Sequence, residues 1–158
     1  MTGGAAFSRD GRYRYRLWRR WDRSRPTIAF CMLNPSTADA SRDDPTIRRC
    51  IRFARDWGYG SIEVVNIFAL RATDPRVLRS ARDPVGPRND AFMLRAADRQ
   101  PVVIAWGVLG ALRDREAEAL TLFGPRTRLL ALGRTRFGAP RHPLYLRRDV
   151  EATEYTLA

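Results

Sequence analysis

Residues 27–33, TIAFCML, form an almost unbroken apolar run that stops at the polar pair Asn34-Pro35. A strand with one face in water alternates apolar and polar residues, whereas a strand covered on both faces is apolar throughout. The run therefore predicts a central β-strand with other elements packed on both of its faces.

A helix is predicted to follow this strand. It begins at Asp44-Pro45, which supply an N-cap and a first-turn proline, and it ends at Gly58. Its apolar positions recur at helical spacing, at Ile47, Cys50, Ile51 and Ala54.

Extended and helical patterns alternate along the rest of the chain. Apolar strands are predicted at residues 61–66, 102–106 and 128–132. Helices are predicted from residue 75, at residues 89–98 and at residues 109–123. Such alternation predicts an α/β fold with a mainly parallel sheet and helices on both faces.

An additional strand is predicted near the N-terminus. Tyr13 and Tyr15 alternate there with Arg12, Arg14 and Arg16, which is the period-two pattern of a half-exposed strand. We expect an edge strand with the three arginines on the opposite face from the tyrosines.

Length and composition suit one domain. The chain has 158 residues, of which 44% are hydrophobic, and it contains no internal repeat or linker. We therefore expect a single domain spanning residues 1–158, present as a monomer. No apolar run approaches the roughly 20 residues of a membrane span, and the N-terminus shows no apolar signal segment, so a cytoplasmic protein without membrane contact is expected.

Metal and cofactor chemistry find little support in the sequence. Cys31 and Cys50 lie inside apolar patterns without metal-ligand spacing, and His142 is the single histidine of the chain. Gly107 and Gly110 fit no phosphate-loop consensus. We expect buried thiols, no metal and no cofactor.

The charge balance points to a polyanionic partner. The chain has 29 basic against 17 acidic residues, a formal net charge of +12, and contains no lysine. Guanidinium groups suit bidentate contact with phosphate, so a nucleic acid is the expected partner. Biased coding could account for the missing lysines, although not for the net charge. Without lysine, no lysine side chain can form a Schiff base.

Polar residues follow the first two predicted parallel strands, where ligands of such sheets bind. Asn34, Pro35 and Ser36 follow the first, and Asn34 could orient a water molecule; a turn with a helix cap is the alternative. Asn66 is the last residue of the second and could pair with a base edge. Downstream of it, Phe68 could stack on a base, although it could equally be a core residue.

Other candidate contacts come from later segments. Arg71 could hold a phosphate, and Trp106 ends the third parallel strand. His142 lies with Arg141 in a loop rich in glycine, proline and arginine, a setting that favours function over a purely structural role. Four carboxylates have a claim to chemistry, namely Asp39, Asp43, Asp44 and Asp74. Asp44 and Asp74 each precede a proline and read first as helix caps, and Asp39 is the catalytic candidate.

The chain resembles the bacterial family called domain of unknown function 1643 (DUF1643). The resemblance rests on MLNPSTAD at residues 32–39, DPT at 44–46, NIFALR at 66–71, WG at 106–107 and RHPLY at 141–145. These motifs span most of the chain, but the family name implies no activity.

More distantly, the chain resembles the uracil-DNA glycosylase superfamily. Its members place a Gly-x-Asn-Pro or Gly-Gln-Asp-Pro loop after the first strand, often an Asn after the second, and a His-Pro-Ser or Asn-Pro-Ser loop after the last. Asn34-Pro35, Asn66 and His142-Pro143 occur here in that order. The resemblance implies a three-layer α/β/α sandwich around a four-stranded parallel sheet.

The same resemblance implies roles for single residues. Asn34 would position the attacking water, Asn66 would read an extruded base, and His142 would stabilise charge on the leaving base. This chain departs from the superfamily by having Leu144 and Tyr145 in place of the serine-containing continuation, and these two are candidates for a wedge in the DNA stack. It departs again at residues 32–33, Met-Leu, where a glycine is usual.

These observations lead to one main hypothesis and two alternatives. The main hypothesis is an N-glycosylase that hydrolyses the glycosidic bond of a damaged or modified base in DNA. The alternatives are a nucleic-acid-binding module without catalysis and an enzyme that acts on free nucleotides or nucleosides.

Overall fold

The computed structural model describes residues 1–156 and shows a mixed α/β fold built on one seven-stranded sheet. The strands are β1 Thr2–Phe7, β2 Arg14–Arg20, β3 Thr27–Met32, β4 Ser61–Asn66, β5 Val102–Ile104, β6 Leu129–Ala131 and β7 Thr153–Glu154. The helices are α1 Pro45–Asp56, α2 Arg76–Ser80, α3 Asn89–Ala97 and α4 Arg115–Phe123, with a 3₁₀ helix at Val108–Asp114.

The sequence predicted a four-stranded, mainly parallel sheet. The sheet is instead mixed and has seven strands. Its strand order is β1-β2-β4-β3-β5-β6-β7. The four strands β4, β3, β5 and β6 pair in parallel, while β1, β2 and β7 pair antiparallel with their neighbours. Sequence patterns missed β1 and β7 because β1 is rich in small residues and β7 has only two residues.

The prediction that residues 27–33 form the central strand is confirmed. β3 lies between β4 and β5 and is buried from Ile28 to Met32. Alternate side chains of this strand enter two separate cores. Phe30 packs with the apolar face of α1, whereas Cys31 packs with residues of α3 and α4.

The predicted N-terminal edge strand is wrong in position. β2 begins at Arg14 and lies between β1 and β4, so that β1 forms the edge of the sheet. This placement gives β2 two neighbouring strands, and its residues Arg14 and Arg19 are buried, at 2% and 4% exposure.

Helix α1 is confirmed, including its cap. Asp44 has extended backbone angles, and its side chain accepts a hydrogen bond from the Ile47 amide at 2.9 Å. Pro45 occupies the first turn, and the chain leaves the helix before Gly58, which has φ of +90°. The helix predicted at residues 109–123 is instead divided, because Leu112 and Arg113, within the segment Val108–Asp114 that precedes α4, have non-helical backbone angles.

Candidate functional site

Five of the predicted site residues line one cleft at the carboxyl ends of β3 and β4. They are Asn34, Pro35, Ser36, Asn66 and His142. The cleft has a volume of about 160 Å³. Parallel strands deliver their carboxyl ends to one edge of a sheet, which is why residues distant in sequence meet here.

Asn34 is fixed by the loop that carries it. Its Nδ2 donates to the carbonyl of Pro35 at 3.1 Å and to the carbonyl of Ala72 at 2.8 Å. Because both partners are carbonyl oxygens, the Asn34 amide is oriented with Nδ2 towards them. Its Oδ1 is then free to accept a hydrogen bond. Asn34 can therefore receive a hydrogen bond from a water molecule in the cleft.

Asn66 is held by a buried polar network behind the cleft. Asn89, which is fully buried, donates through Nδ2 to the carbonyls of Asn66 at 2.7 Å and Ile67 at 3.2 Å. Arg115, also buried, donates to the same Ile67 carbonyl at 2.8 Å and pairs with Asp90 at 2.6 Å. These bonds fix the backbone where β4 ends, so the Asn66 side chain projects from a rigid base.

Arg14 also lines the cleft. The sequence predicted it on the strand face opposite the tyrosines, together with Arg12 and Arg16. Ala6 of β1 pairs with Arg16, yet the next residue, Phe7, pairs with Arg14, so Tyr15 is an extra residue in the strand. Such a β-bulge reverses the alternation of faces beyond it. The bulge therefore turns Arg14 towards the α1 side of the sheet.

The Arg14 guanidinium is held inside the protein as a cation. Nη1 donates to the carbonyl of Ala38 at 3.0 Å, and Nη2 lies 3.5 Å from Oδ1 of Asn66. Burial lowers the pKa of Arg14 to about 10, with the charge of Asp44 opposing that shift, so the group stays charged at neutral pH.

Asp44 caps α1 and also lines the cleft. Oδ1 accepts from the Ile47 amide, and Oδ2 accepts from the Ala38 amide at 3.3 Å. An ionised carboxylate has about four acceptor positions, so both oxygens retain capacity for a further donor. The predicted capping role is thus confirmed, and the same carboxylate supplies negative charge to the site.

The ring of His142 is oriented by its own loop. The Leu144 amide donates to Nδ1 at 3.1 Å, so the proton of the neutral ring resides on Nε2. Burial lowers the pKa of His142, with Asp44 acting in the opposite direction. At neutral pH the ring is uncharged, with Nε2–H available as a donor.

The comparisons with known proteins bear on this arrangement. Residues 14–144 match the family described as Protein of unknown function (DUF1643). The chain belongs to the DUF1643 family. No curated protein and no solved structure gave a significant match. The part that matches DUF1643 begins at Arg14 and includes His142, and therefore contains every residue of the cleft.

Two predicted contacts of this DUF1643 protein lie in the core instead of the cleft. Phe68 is fully buried and Trp106 is 1% exposed, and both pack in the cluster on the α3 side of the sheet. Neither ring can meet a base in this conformation. The alternative interpretation of Phe68 as a core residue is the one that the structure supports.

Asp39 lies outside the residues that line the cleft. Its Oδ1 accepts from the amides of Ser41 at 3.0 Å and Arg42 at 2.7 Å, and these bonds lower the pKa of the carboxyl. Its carbonyl accepts from Nη2 of Arg19 at 2.6 Å. The geometry assigns Asp39 to shaping the loop before α1, and the carboxylate inside the cleft is that of Asp44.

The remaining predicted contacts lie in loops around the cleft, not among the residues that line it. Arg71 is exposed, donates to the carbonyl of Gly11 at 3.2 Å and covers the ring of Phe7. Arg141 is exposed and donates to the carbonyl of Arg134 at 2.9 Å. The residues after His142 are a buried Pro143, a half-buried Leu144 and Tyr145, which is 94% exposed.

Sequence reasoning missed Arg14 as a site residue for a definite reason. The alternation of arginines and tyrosines in the sequence does not show that a β-bulge is present. It is the bulge that reverses which side chains face each side of the sheet. For Asp44, the cap pattern was visible, but a cap and a site carboxylate have the same sequence signal. That Arg14 and Asp44 line the same cleft depends on how β2 and α1 pack against each other in the fold.

The described part of the chain holds neither a metal-binding cluster nor a helix that could span a membrane. Residues 1–156 contain no group of three or more His, Cys, Asp or Glu side chains placed to hold a metal ion. No helix within the same residues has the length and apolar character needed to cross a bilayer. Cys31 and Cys50 are buried, which raises the pKa of both thiols.

Proposed function

We propose that this protein is a DNA glycosylase that hydrolyses the N-glycosidic bond of a damaged or modified base. The observation that carries the proposal is the convergence of Asn34, Asn66 and His142 on one cleft. Asn34 lies in the loop after β3, Asn66 ends β4, and His142 lies in the loop after β6. Together they supply an acceptor, an amide and a neutral ring donor.

One side of the cleft suits a leaving base. Because Oδ1 of Asn66 faces Arg14, its Nδ2 is the end that can donate to a carbonyl or ring nitrogen of the base. His142 contributes Nε2–H, and the buried Arg14 adds positive charge. A base that departs with the electron pair of the broken bond is stabilised by all three groups.

The other side suits the attack of water. Oδ1 of Asn34 accepts one hydrogen of the water, and Asp44 lies in the same cleft as an acceptor for its proton. The water oxygen bonds to C1′ as the C1′–N bond breaks, and the electron pair of that bond stays on the base. The negative charge of Asp44 also favours the oxocarbenium character that develops on the sugar.

The size of the cleft favours a base over a whole nucleotide. Its volume of about 160 Å³ is below the roughly 300 Å³ at which sites for drug-sized ligands begin. A single ring system fits, while the sugar and phosphates stay outside, where the arginine-rich surface meets them. This arrangement suits a base extruded from a polymer.

The proposal is tested by incubating the protein with DNA duplexes that carry uracil, hypoxanthine, oxidised or hypermodified pyrimidines, followed by alkali. We expect strand breaks with one substrate class, reduced at least about a hundredfold by Asn34→Ala and by His142→Ala. Thr37→Ala, in the same loop but outside the cleft, is the matched control and should retain activity.

Three results would count against the proposal. Absence of breaks with every substrate contradicts it, as do breaks that persist undiminished in both cleft variants. Base release from a free nucleoside at the rate seen with DNA would favour the alternative of an enzyme for free nucleosides.

A further inference from the structure

A hairpin at the end of β6 holds an aromatic side chain in water. Residues 134–140 form this hairpin, in which Arg134 and Pro140 form an isolated antiparallel bridge. Phe137 occupies its turn and is 85% exposed. The hairpin and its phenylalanine take no part in the cleft described above.

The hairpin is well organised around that exposed ring. The Thr135 amide donates to the carbonyl of Ala139 at 2.7 Å, and the Gly138 amide donates to the carbonyl of Thr135 at 2.9 Å. Gly138 has φ of +84°, a conformation that glycine adopts without strain, so the residue at this position favours the turn. A turn closed in this way needs no apolar side chain at Phe137 for its own stability.

The segment of the chain that contains Phe137 is basic. Residues 119–148 contain seven arginines and no acidic residue, and three of these arginines, Arg128, Arg147 and Arg148, pair with carboxylates outside the segment. Arg136 and Arg141 lie on either side of the turn, and both are exposed. Charge complementarity therefore favours a polyanion over a protein surface as the partner of this hairpin.

The hairpin is connected directly to the cleft. Pro140, at its base, accepts a hydrogen bond from the Gly107 amide at 2.9 Å, and His142 follows two residues later. Phe137 and His142 are five positions apart in the chain, which limits their Cα atoms to within about 18 Å of each other. Tyr145, 94% exposed, lies three residues beyond His142, so exposed aromatics flank the histidine on both sides in sequence.

We propose that Phe137 stacks on a nucleobase of the bound strand, close to the nucleotide whose base enters the cleft, while the neighbouring arginines contact phosphates. Aromatic rings beside guanidinium groups are the combination that holds unstacked nucleotides without regard to sequence. This inference rests on the proposed function, because it takes nucleic acid as the substrate, and it adds a contact outside the cleft that selects strands with accessible bases.

The experiment measures binding by fluorescence anisotropy with the full-length protein and two labelled single-stranded probes. One probe is an undamaged oligothymidylate, and the other is an abasic oligonucleotide of equal length and charge. The variants are Phe137→Ala, Phe137→Trp and, as a matched control, Leu94→Ala, which removes another exposed apolar side chain, on α3. Thermal melts establish that each variant is folded.

We expect Phe137→Ala to weaken binding of oligothymidylate roughly tenfold, as for the loss of one base stack, and to leave binding of the abasic probe unchanged. Phe137→Trp should bind at least as tightly as the wild type, and Leu94→Ala should match it. Equal binding of oligothymidylate by Phe137→Ala and wild type would overturn the proposal. So would an equal loss on the abasic probe, or no binding of either probe by the wild type.

Neither probe requires turnover, so this test is separate from the test of catalysis. If base release fails while the Phe137 effect is present, the proposed function fails and the stacking contact stands. If base release is observed and Phe137→Ala binds oligothymidylate like the wild type, the stacking contact fails alone.

Discussion

The guanidinium of Arg14 lies 3.5 Å from the side-chain oxygen of Asn66 and links β2 to the end of β4. Arg14 is 2% exposed, and its other terminal nitrogen donates to the carbonyl of Ala38 at 3.0 Å. This contact directs the amide nitrogen of Asn66 away from Arg14, and it brings a fixed positive charge to the cleft. Arg14 thus acts on the proposed base through Asn66 as well as through its charge.

Arg14→Met should reduce base release about 10- to 100-fold, as is usual when a group that orients a site residue is lost. Arg16→Met is the matched control on the same strand, because Arg16 points to the opposite face and pairs with Glu63 at 2.9 Å. Single-turnover rates on the preferred DNA substrate measure both. Equal losses in the two variants would contradict the assignment of Arg14 to the site.

Asn89→Ala should affect both stability and catalysis. The change removes the donor to the Asn66 and Ile67 carbonyls, and we expect about 1–3 kcal/mol of lost unfolding free energy. The catalytic rate should fall more than substrate affinity, since Asn89 does not line the cleft. Denaturant titrations and single-turnover kinetics measure the two effects.

Gln100→Ala is the control for Asn89, since Gln100 donates to the Ala96 carbonyl at 2.8 Å, away from the end of β4. It should destabilise the protein by about 0.5–1.5 kcal/mol with the rate unchanged. A rate loss in Gln100→Ala equal to that in Asn89→Ala would show that stability alone accounts for the effect.

His142 should make activity depend on acid pH. Because burial lowers its pKa, the ring stays neutral at and above the ordinary histidine pKa of about 6.5. Single-turnover rates should therefore be flat on the neutral side and decline only below about pH 6.5. An acid limb centred above that value would contradict the neutral-donor role.

His142 should also make the stability of the folded protein depend on pH. Between the lowered folded pKa of His142 and the unfolded value of about 6.5, the unfolded chain binds more protons, so the unfolding free energy rises with pH in that window. His142→Asn should remove that part of the slope. Urea titrations across the window measure it, and an unchanged slope in the variant would contradict the shift.

Tyr145→Gly should separate stability from binding. Tyr145 has φ of +69°, a left-handed conformation that is uncommon for an aromatic residue and costs about 1–3 kcal/mol, and the ring is 94% exposed. Glycine relieves that strain, so we expect a higher melting temperature together with weaker binding of oligothymidylate. A variant with lower stability and unchanged binding would contradict a binding role for the ring.

The sequence predicted the fold best where one pattern had one structural meaning. The apolar run that contains Phe30 specifies a doubly covered strand, and Asp44-Pro45 specifies a helix start; both are present. The order of the parallel strands then brought Asn34, Asn66 and His142 together, as expected if the strand ends share one edge.

The errors arose where a pattern was compatible with two structures. Arg14 seemed to lie on an exposed strand face, but the extra residue Tyr15 in the pairing with β1 inverts that face. Phe68 follows a strand end, and only the packing shows that its ring enters the core. Asp39 and Asp44 were distinguishable only after the loop and α1 were placed in space.

The most direct test of the central proposal is to incubate the substrate DNA with the protein and to analyse both products by mass spectrometry before any treatment with alkali. Because the chain has no lysine, we expect attack by water, with free base released and an abasic sugar left in an intact DNA backbone. The result that would contradict the account is no free base from any substrate, or cleavage of the strand before alkali is added.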